Sequence, residues 1–212
     1  MTVCISCYMI DNRNKIALAA FALSLQEGFD NVSIKQIQQE SELATGSIYY
    51  HFKDKNEILT YMVHMYLMDN FNEFKEAIKN FDGSFIERIE FIFNYKTNSF
   101  IKEELDIKLA TGHEFDYKKY YTLLTSIFHQ HPEARHLFYK LHDDLYDFYS
   151  GLVQDAIANG EIRDDIDIDM LVIFIQTSFK GYIDLWVYQP NFPFKKIVDS
   201  NLKLIWEAIK KQ

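Results

Sequence analysis

An all-α fold is what this sequence predicts, and three observations carry the prediction. Between breaks, apolar residues recur three and four apart, as one buried helix face requires. Only 7 glycines and 3 prolines punctuate 212 residues, which suits long helices with few turns. No stretch carries the alternation of a strand, and no segment repeats. With 48% hydrophobic and 25% charged residues the chain is globular in composition, and its 18 Phe and 14 Tyr supply ample core volume.

The elements follow in order, about nine helices in all. From Asn12 to Glu27, Ile16, Ala19, Ala20 and Leu23 share one face, and Gly28 supplies the stop. Ser33 with Gln36 fits a capping box for a second helix, whose Ile34 and Ile37 face inward. A third, short helix starts near Ala44–Thr45 and is anchored by Ile48 and Phe52, four apart. A fourth begins near Asp54, sends Ile58, Met62, Met65 and Leu67 to a core, and runs toward Asn80. Asp82-Gly83 is a break, and Ser84 with Glu87 caps a helix carrying Ile89, Ile92, Phe93 and Phe100 toward Leu109.

A helix over about Asp116–Phe128 precedes His131-Pro132, where proline favours a new first turn. The next runs from Pro132 to Ala158 and buries Leu137, Leu141, Leu145, Phe148, Leu152 and Ile157. Glu161–Asp169 reads as a solvated acidic connection that caps the following helix. The final helices, about Ile168–Tyr188 and Pro193–Lys210, are apolar on more than one face. The first carries Met170, Leu171, Ile173, Phe174, Ile175, Phe179, Ile183, Leu185 and Trp186. The second carries Ile197, Val198, Leu202, Leu204, Ile205, Trp206 and Ile209. Helices of that kind require a second covering surface, and a second subunit is the natural one.

The formal net charge is −9, the opposite of the usual basic footprint of a nucleic-acid binder. Residues 1–55 nearly cancel: Arg13, Lys15, Lys35, Lys53 and Lys55 face Asp11, Glu27, Asp30, Glu40, Glu42 and Asp54. No basic start leads into an apolar core and cleavage site, and no run approaches the ~20 apolar residues of a membrane span. Cys4-x-x-Cys7 stands without a second pair and reads as two reduced thiols of a cytoplasmic protein.

The most informative stretch is Ser33–Phe52, two short helical signatures around a tight break. With Ile48 and Phe52 turned to a core, Thr45, Ser47, Tyr49 and Tyr50 point outward with hydrogen-bonding tips. Two such helices, the second presenting polar side chains, outline a helix-turn-helix. Arg13–Ile58 resembles the DNA-binding domain of TetR-type (tetracycline-repressor-like) transcriptional regulators. The resemblance lies in Ile16, Ala19-Ala20, Gly28-Phe29, Ser33-Ile34 and Ile37. It is densest in Thr45-Gly46-Ser47-Ile48-Tyr49-Tyr50-His51-Phe52-Lys53-Asp54-Lys55 with Glu57-Ile58. Three positions depart from the family pattern: Ser41, Glu42 at a turn position often held by glycine, and Ala44 where serine often caps.

The resemblance implies a three-helix head over 1–53 and a helical ligand-binding and dimerisation body over 54–212. It implies a regulator, a repressor by expectation, that binds double-stranded palindromic DNA as a homodimer through the last two helices. A small-molecule effector would release it, with no cofactor and no metal. Carried over residue by residue, DNA contact falls to Lys35, Thr45, Gly46, Ser47, Tyr49, Tyr50, His51 and Lys55, with Lys53 beside them near the phosphates. Candidate effector contacts in the body are Phe91, Tyr95, Asn98, Phe128, Tyr149, Phe174, Gln176 and Ser178. An aromatic-rich acidic body suits a flat or cationic ligand.

Two other readings stand beside this one. One is a helical interaction protein with a vestigial head. The other is a metal-dependent enzyme using His129, His131, His136 and His142 near Glu133, Asp143 and Asp144. Against the enzyme, no metalloprotease spacing, nucleophile elbow or phosphate-cradling glycine loop occurs.

Overall fold

The structure is a computed structural model that describes residues 11–95, 112, 116–189 and 193–211. The expected arm at 1–10 with Cys4 and Cys7, the stretch toward Leu109 and the candidate Asn98 lie outside the described residues, as does the side chain of Trp186. Every regular element among the described residues is helical. By packing, the chain forms two units: Met1–Asn70 with Ser99–Tyr139, and Phe71–Asn98 with Lys140–Gln212. The boundary expected at residue 53 was drawn by function, whereas these units are drawn by packing.

The first unit is built on α1 (Asn12–Glu27), capped by the Asp11 side chain and stopped by Gly28 at φ 79°. Ile16, Ala17, Ala19, Ala20 and Phe21 are sealed in its core, the small alanines letting neighbours approach closely. A 3-10 turn (Phe29–Asn31) leads to α2 (Ile34–Ser41). The expected capping box is present: the Gln36 amide donates to Ser33 Oγ at 3.2 Å, and the Ser33 amide to Gln36 Oε1 at 2.8 Å. Then come α3 (Thr45–His51) and α4 (Lys55–Val63), both packed on α1.

The sequence predicted one unbroken fourth helix. It is instead interrupted by a π-helical segment, His64–Asp69, before α5 (Asn70–Lys79). A π turn takes up one extra residue and leaves a carbonyl out of register. Here the Tyr66 carbonyl accepts from Asn70 Nδ2 at 2.9 Å and from the Tyr120 hydroxyl at 3.1 Å. Tyr120 belongs to α7 (Tyr117–Gln130), which lies on α1 and ties to it by a Lys119–Gln26 bond of 2.7 Å. (The helix preceding it, α6, is described over 85–95.)

In the second unit, α5 buries Phe71, Phe74 and Ile78, and α6 buries Phe85, Ile89, Ile92 and Phe93. A short 3-10 turn, Pro132–Ala134, starts α8 (Arg135–Ala158), whose residues from Lys140 onward belong to this unit. Its fully buried line is Tyr149, Leu152, Val153 and Ala156. Of the expected stripe, Leu137 and Leu152 are buried, while Leu141, Leu145, Phe148 and Ile157 are only half-buried because Tyr149, Val153 and Ala156 take the packed face beside them.

Gly160 at φ 71° ends α8 in a Schellman motif, with Glu161 N–H on Ala156 O and Gly160 N–H on Ile157 O. The acidic connection is less solvated than expected. Ile162 is sealed, the Arg163 amide donates to Ile209 O, and the Glu161 carboxylate accepts from the Phe85 amide. Asp167 does cap α9 (Ile168–Tyr188), and α10 (Phe194–Ile209) packs along it.

Candidate nucleic-acid interface

The small helix α3 is fixed from behind and bare in front. Ile48 and Phe52, each 1% exposed, root it in the α1 core. On its outer side Tyr49 is 58% and Tyr50 85% exposed. Arg13 of α1 locks the far corner. Its guanidinium lies 4.4 Å from the Tyr61 ring centre, 5.1 Å from that of Phe52, and 3.5 Å from the Glu57 carboxylate. Glu57 in turn accepts the Lys53 amide at 2.7 Å, while Asp54 caps α4 through the Glu57 amide at 2.9 Å. These bonds hold the exit of α3 against α4, so the tyrosines sit on a rigid platform.

The entry to α3 is built differently. Glu42 closes the turn in the left-handed region at φ 57°, where a side chain is strained by about 1 kcal/mol. Ala44 occupies the N-cap and offers no side-chain acceptor. A bridge replaces the missing cap: Thr45 Oγ1 donates to Gln38 Oε1 at 2.7 Å, across the turn from α3 to α2. Gly46 is exposed, and a Cβ placed on it would meet nothing within 4 Å. Its lack of a side chain therefore serves no contact inside the described protein. Ser47 and His51 are half-exposed, and the His51 ring stands edge-on to Tyr50 at 5.0 Å.

Residues 16–62 match the family model described as bacterial regulatory proteins, tetR family. An HTH-type transcriptional regulator of Staphylococcus aureus strain bovine RF122 is 27% identical over 80% of this chain and 80% of its own. Over residues 16–62 this chain is of the tetR regulatory family. Other S. aureus HTH-type regulators match over 75 residues, 40% of their length. Among solved structures, reduced Escherichia coli NemR superposes with a TM-score of 0.73 at 15% identity, covering 95% of this chain and all of the other. A Saccharomonospora viridis transcriptional regulator in complex with choline gives 0.72 at 19% identity, over 94% and 98% of the two chains. The matched S. aureus relatives carry names of regulators, not of enzymes.

Within this TetR-type head the cations are not equivalent. Lys35 and Lys53 are exposed, on α2 and just beyond α3. Lys55, expected to meet a phosphate, is turned inward in this structure. Its ammonium donates to Phe29 O at 2.7 Å and Asp30 O at 3.2 Å, above the Phe29 ring. Burial lowers its pKa, and the Asp30 charge raises it back in part. A sequence cannot show this, because the two carbonyls come from a turn some 25 residues upstream. Lys53, by contrast, was legible as a cation immediately following the motif helix.

The body candidates divide. Phe91 lies 5.7 Å from Tyr95, Tyr95 reaches Phe74 at 5.5 Å, and Phe74 reaches Phe148, the neighbour of Tyr149. Phe71, Phe74 and Phe148 thus join a ring cluster that the sequence reading left out of its candidates. Tyr149 is buried with no partner for its hydroxyl, and burial raises its pKa strongly, keeping it a neutral phenol. Gln176 also holds a buried amide nitrogen without a partner, and Ser178 is half-buried. Phe128 belongs to the other unit, where it packs on Phe138 and Tyr139. Phe174 is 42% exposed beside exposed Ile173 and faces outward.

The histidines do not assemble a metal centre among the described residues. His131 instead bridges two carboxylates, with Nε2 3.2 Å from Asp30 and Nδ1 3.4 Å from Glu133. No described helix is long and apolar enough to cross a membrane.

Proposed function

We propose that this TetR-family protein is a cytoplasmic, ligand-responsive repressor that binds a palindromic operator as a homodimer and is released by a small-molecule effector. The observation that carries the DNA half is the exposed Tyr49–Tyr50 edge of α3, backed by a sealed core and preceded by a glycine with open space in front. Two exposed tyrosines on one short helix offer a partner flat apolar surface with hydrogen-bonding tips. Thr45, Ser47, Tyr49 and Tyr50 meet the groove, His51 lies at its margin, and Lys35 and Lys53 take the phosphates. One head reads too few base pairs, so two are paired about a two-fold axis.

Support for the pairing comes from α9 and α10. Met170, Ile173, Phe174, Leu185 and Tyr188 on the first, with Leu204 and Trp206 on the second, leave large apolar area in solvent. For the effector, the support is the Tyr149 hydroxyl. A buried unpaired polar group costs about 1–3 kcal/mol, which a ligand acceptor would recover. The surrounding rings suit a flat ligand, or a cation of the kind found in the S. viridis complex.

The test is electrophoretic mobility shift at low salt, using duplexes recovered from a randomised pool. Wild type is expected to retard a palindromic duplex. Tyr50→Ala is expected to weaken the shift at least tenfold while leaving the melting temperature within a few degrees, since so exposed a ring contributes little to the core. A wild type that retards no sequence would favour the interaction-protein reading.

A further inference from the structure

We infer that Gln38, a residue of α2 outside the motif helix, sets which base edges Thr45 can read. This rests on the proposed DNA contact by α3 and specifies its chemistry. A threonine hydroxyl has one hydrogen to donate and two lone pairs to accept with. In this structure the hydrogen is spent on Gln38 Oε1, at 2.7 Å. The geometry of the turn makes that bond the fastening of the helix entry, because Ala44 cannot cap and Glu42 sits in a strained conformation. Thr45 is exposed all the same. What it presents outward is an acceptor and a methyl group.

An acceptor discriminates. In the major groove adenine shows its N6 amino group and cytosine its N4 amino group as donors, while guanine presents only acceptors and thymine an acceptor with a methyl. Thr45 held by Gln38 therefore pairs with a donor-bearing edge, adenine or cytosine, or lays its methyl on that of thymine, and rejects guanine. It has no hydrogen left for a phosphate oxygen. Gln38 is a positioning residue in this scheme. It fixes the direction of a neighbouring hydroxyl, and its own amide nitrogen remains at the turn.

Removing Gln38 returns the hydrogen to Thr45, which can then donate as well as accept. The experiment is selection from a randomised duplex pool, followed by sequencing, with wild type, Gln38→Ala, Thr45→Val and the double variant. Wild type is expected to exclude guanine at one position in each half-site. Gln38→Ala is expected to admit guanine there, with discrimination falling on the order of tenfold, while other positions keep their preferences. Thr45→Val removes both hydrogen-bonding functions and is expected to lose the adenine and cytosine preference, and adding Gln38→Ala to it is expected to change nothing more. A Gln38→Ala variant whose base preferences match wild type at every position overturns the inference, even if its affinity or stability drops. If wild type itself selects no sequence, it is the DNA-binding reading that fails.

Discussion

Gly46 is a residue whose cost and use can be separated by one substitution. In a helix, glycine is up to about 1 kcal/mol less favourable than alanine, and at this position a methyl group would touch nothing. Gly46→Ala is therefore expected to raise the melting temperature by a few degrees and to weaken DNA binding several-fold, by holding α3 off its partner. Calorimetry and fluorescence anisotropy on the same preparation check the two arms. A variant more stable and equally competent would show that nothing approaches closely there.

Asp69, at the end of the π segment, tests electrostatics at the same scale. Burial raises its pKa, and His64, with Nδ1 3.9 Å away, lowers it back in part. The folded protein therefore holds this proton at pH values where the unfolded chain has lost it. Stability from this group is present below the ordinary carboxylate value and is lost as pH rises through the raised one. Asp69→Asn is expected to flatten the acid side of the melting-temperature profile and to gain stability at neutral pH relative to wild type. An unchanged profile would contradict the burial of that charge.

At the level of elements, the head was legible because its signals are local. Ser33 and Gln36 are three apart, Ile48 and Phe52 four apart, and each pair states its own geometry. Glu42 and Ala44 were also readable as departures, and the structure shows their consequence in a left-handed glutamate and an uncapped helix. What was not legible depends on distant partners. The π segment is stabilised by Tyr120, some 54 residues from the carbonyl it holds. Ile162 is sealed although the run around it is charged, since the Arg163 amide is tied to Ile209 O. In the candidate site, Tyr49 and Tyr50 were readable from the motif, whereas the inward turn of Lys55 was not.

α9 is apolar on two faces. Its apolar residues divide into a packed face (Leu171, Val172, Ile175, Tyr182) and an exposed one led by Met170 and Ile173. Ile173→Glu places a charge on the exposed face without disturbing the core. Analytical ultracentrifugation is expected to show a dimer for wild type and a shift toward monomer for the variant, with helicity unchanged. Equal sedimentation of the two would move the pairing surface elsewhere.

For the whole molecule, a net charge of −9 sets the terms of DNA binding. Long-range attraction is weak, and the acidic bulk is repelled by the duplex. In the proposed reading, binding depends on a few placed cations and on doubling the contact through a dimer. The account's central claim is that two copies of α3 enter the groove on one side of the same duplex. Hydroxyl-radical footprinting on a selected duplex tests that most directly. The account predicts two protected patches related by a dyad and lying on one face, about 34–36 Å or a further whole turn apart, both lost in Tyr50→Ala. A single patch, or protection that survives Tyr50→Ala, would contradict it.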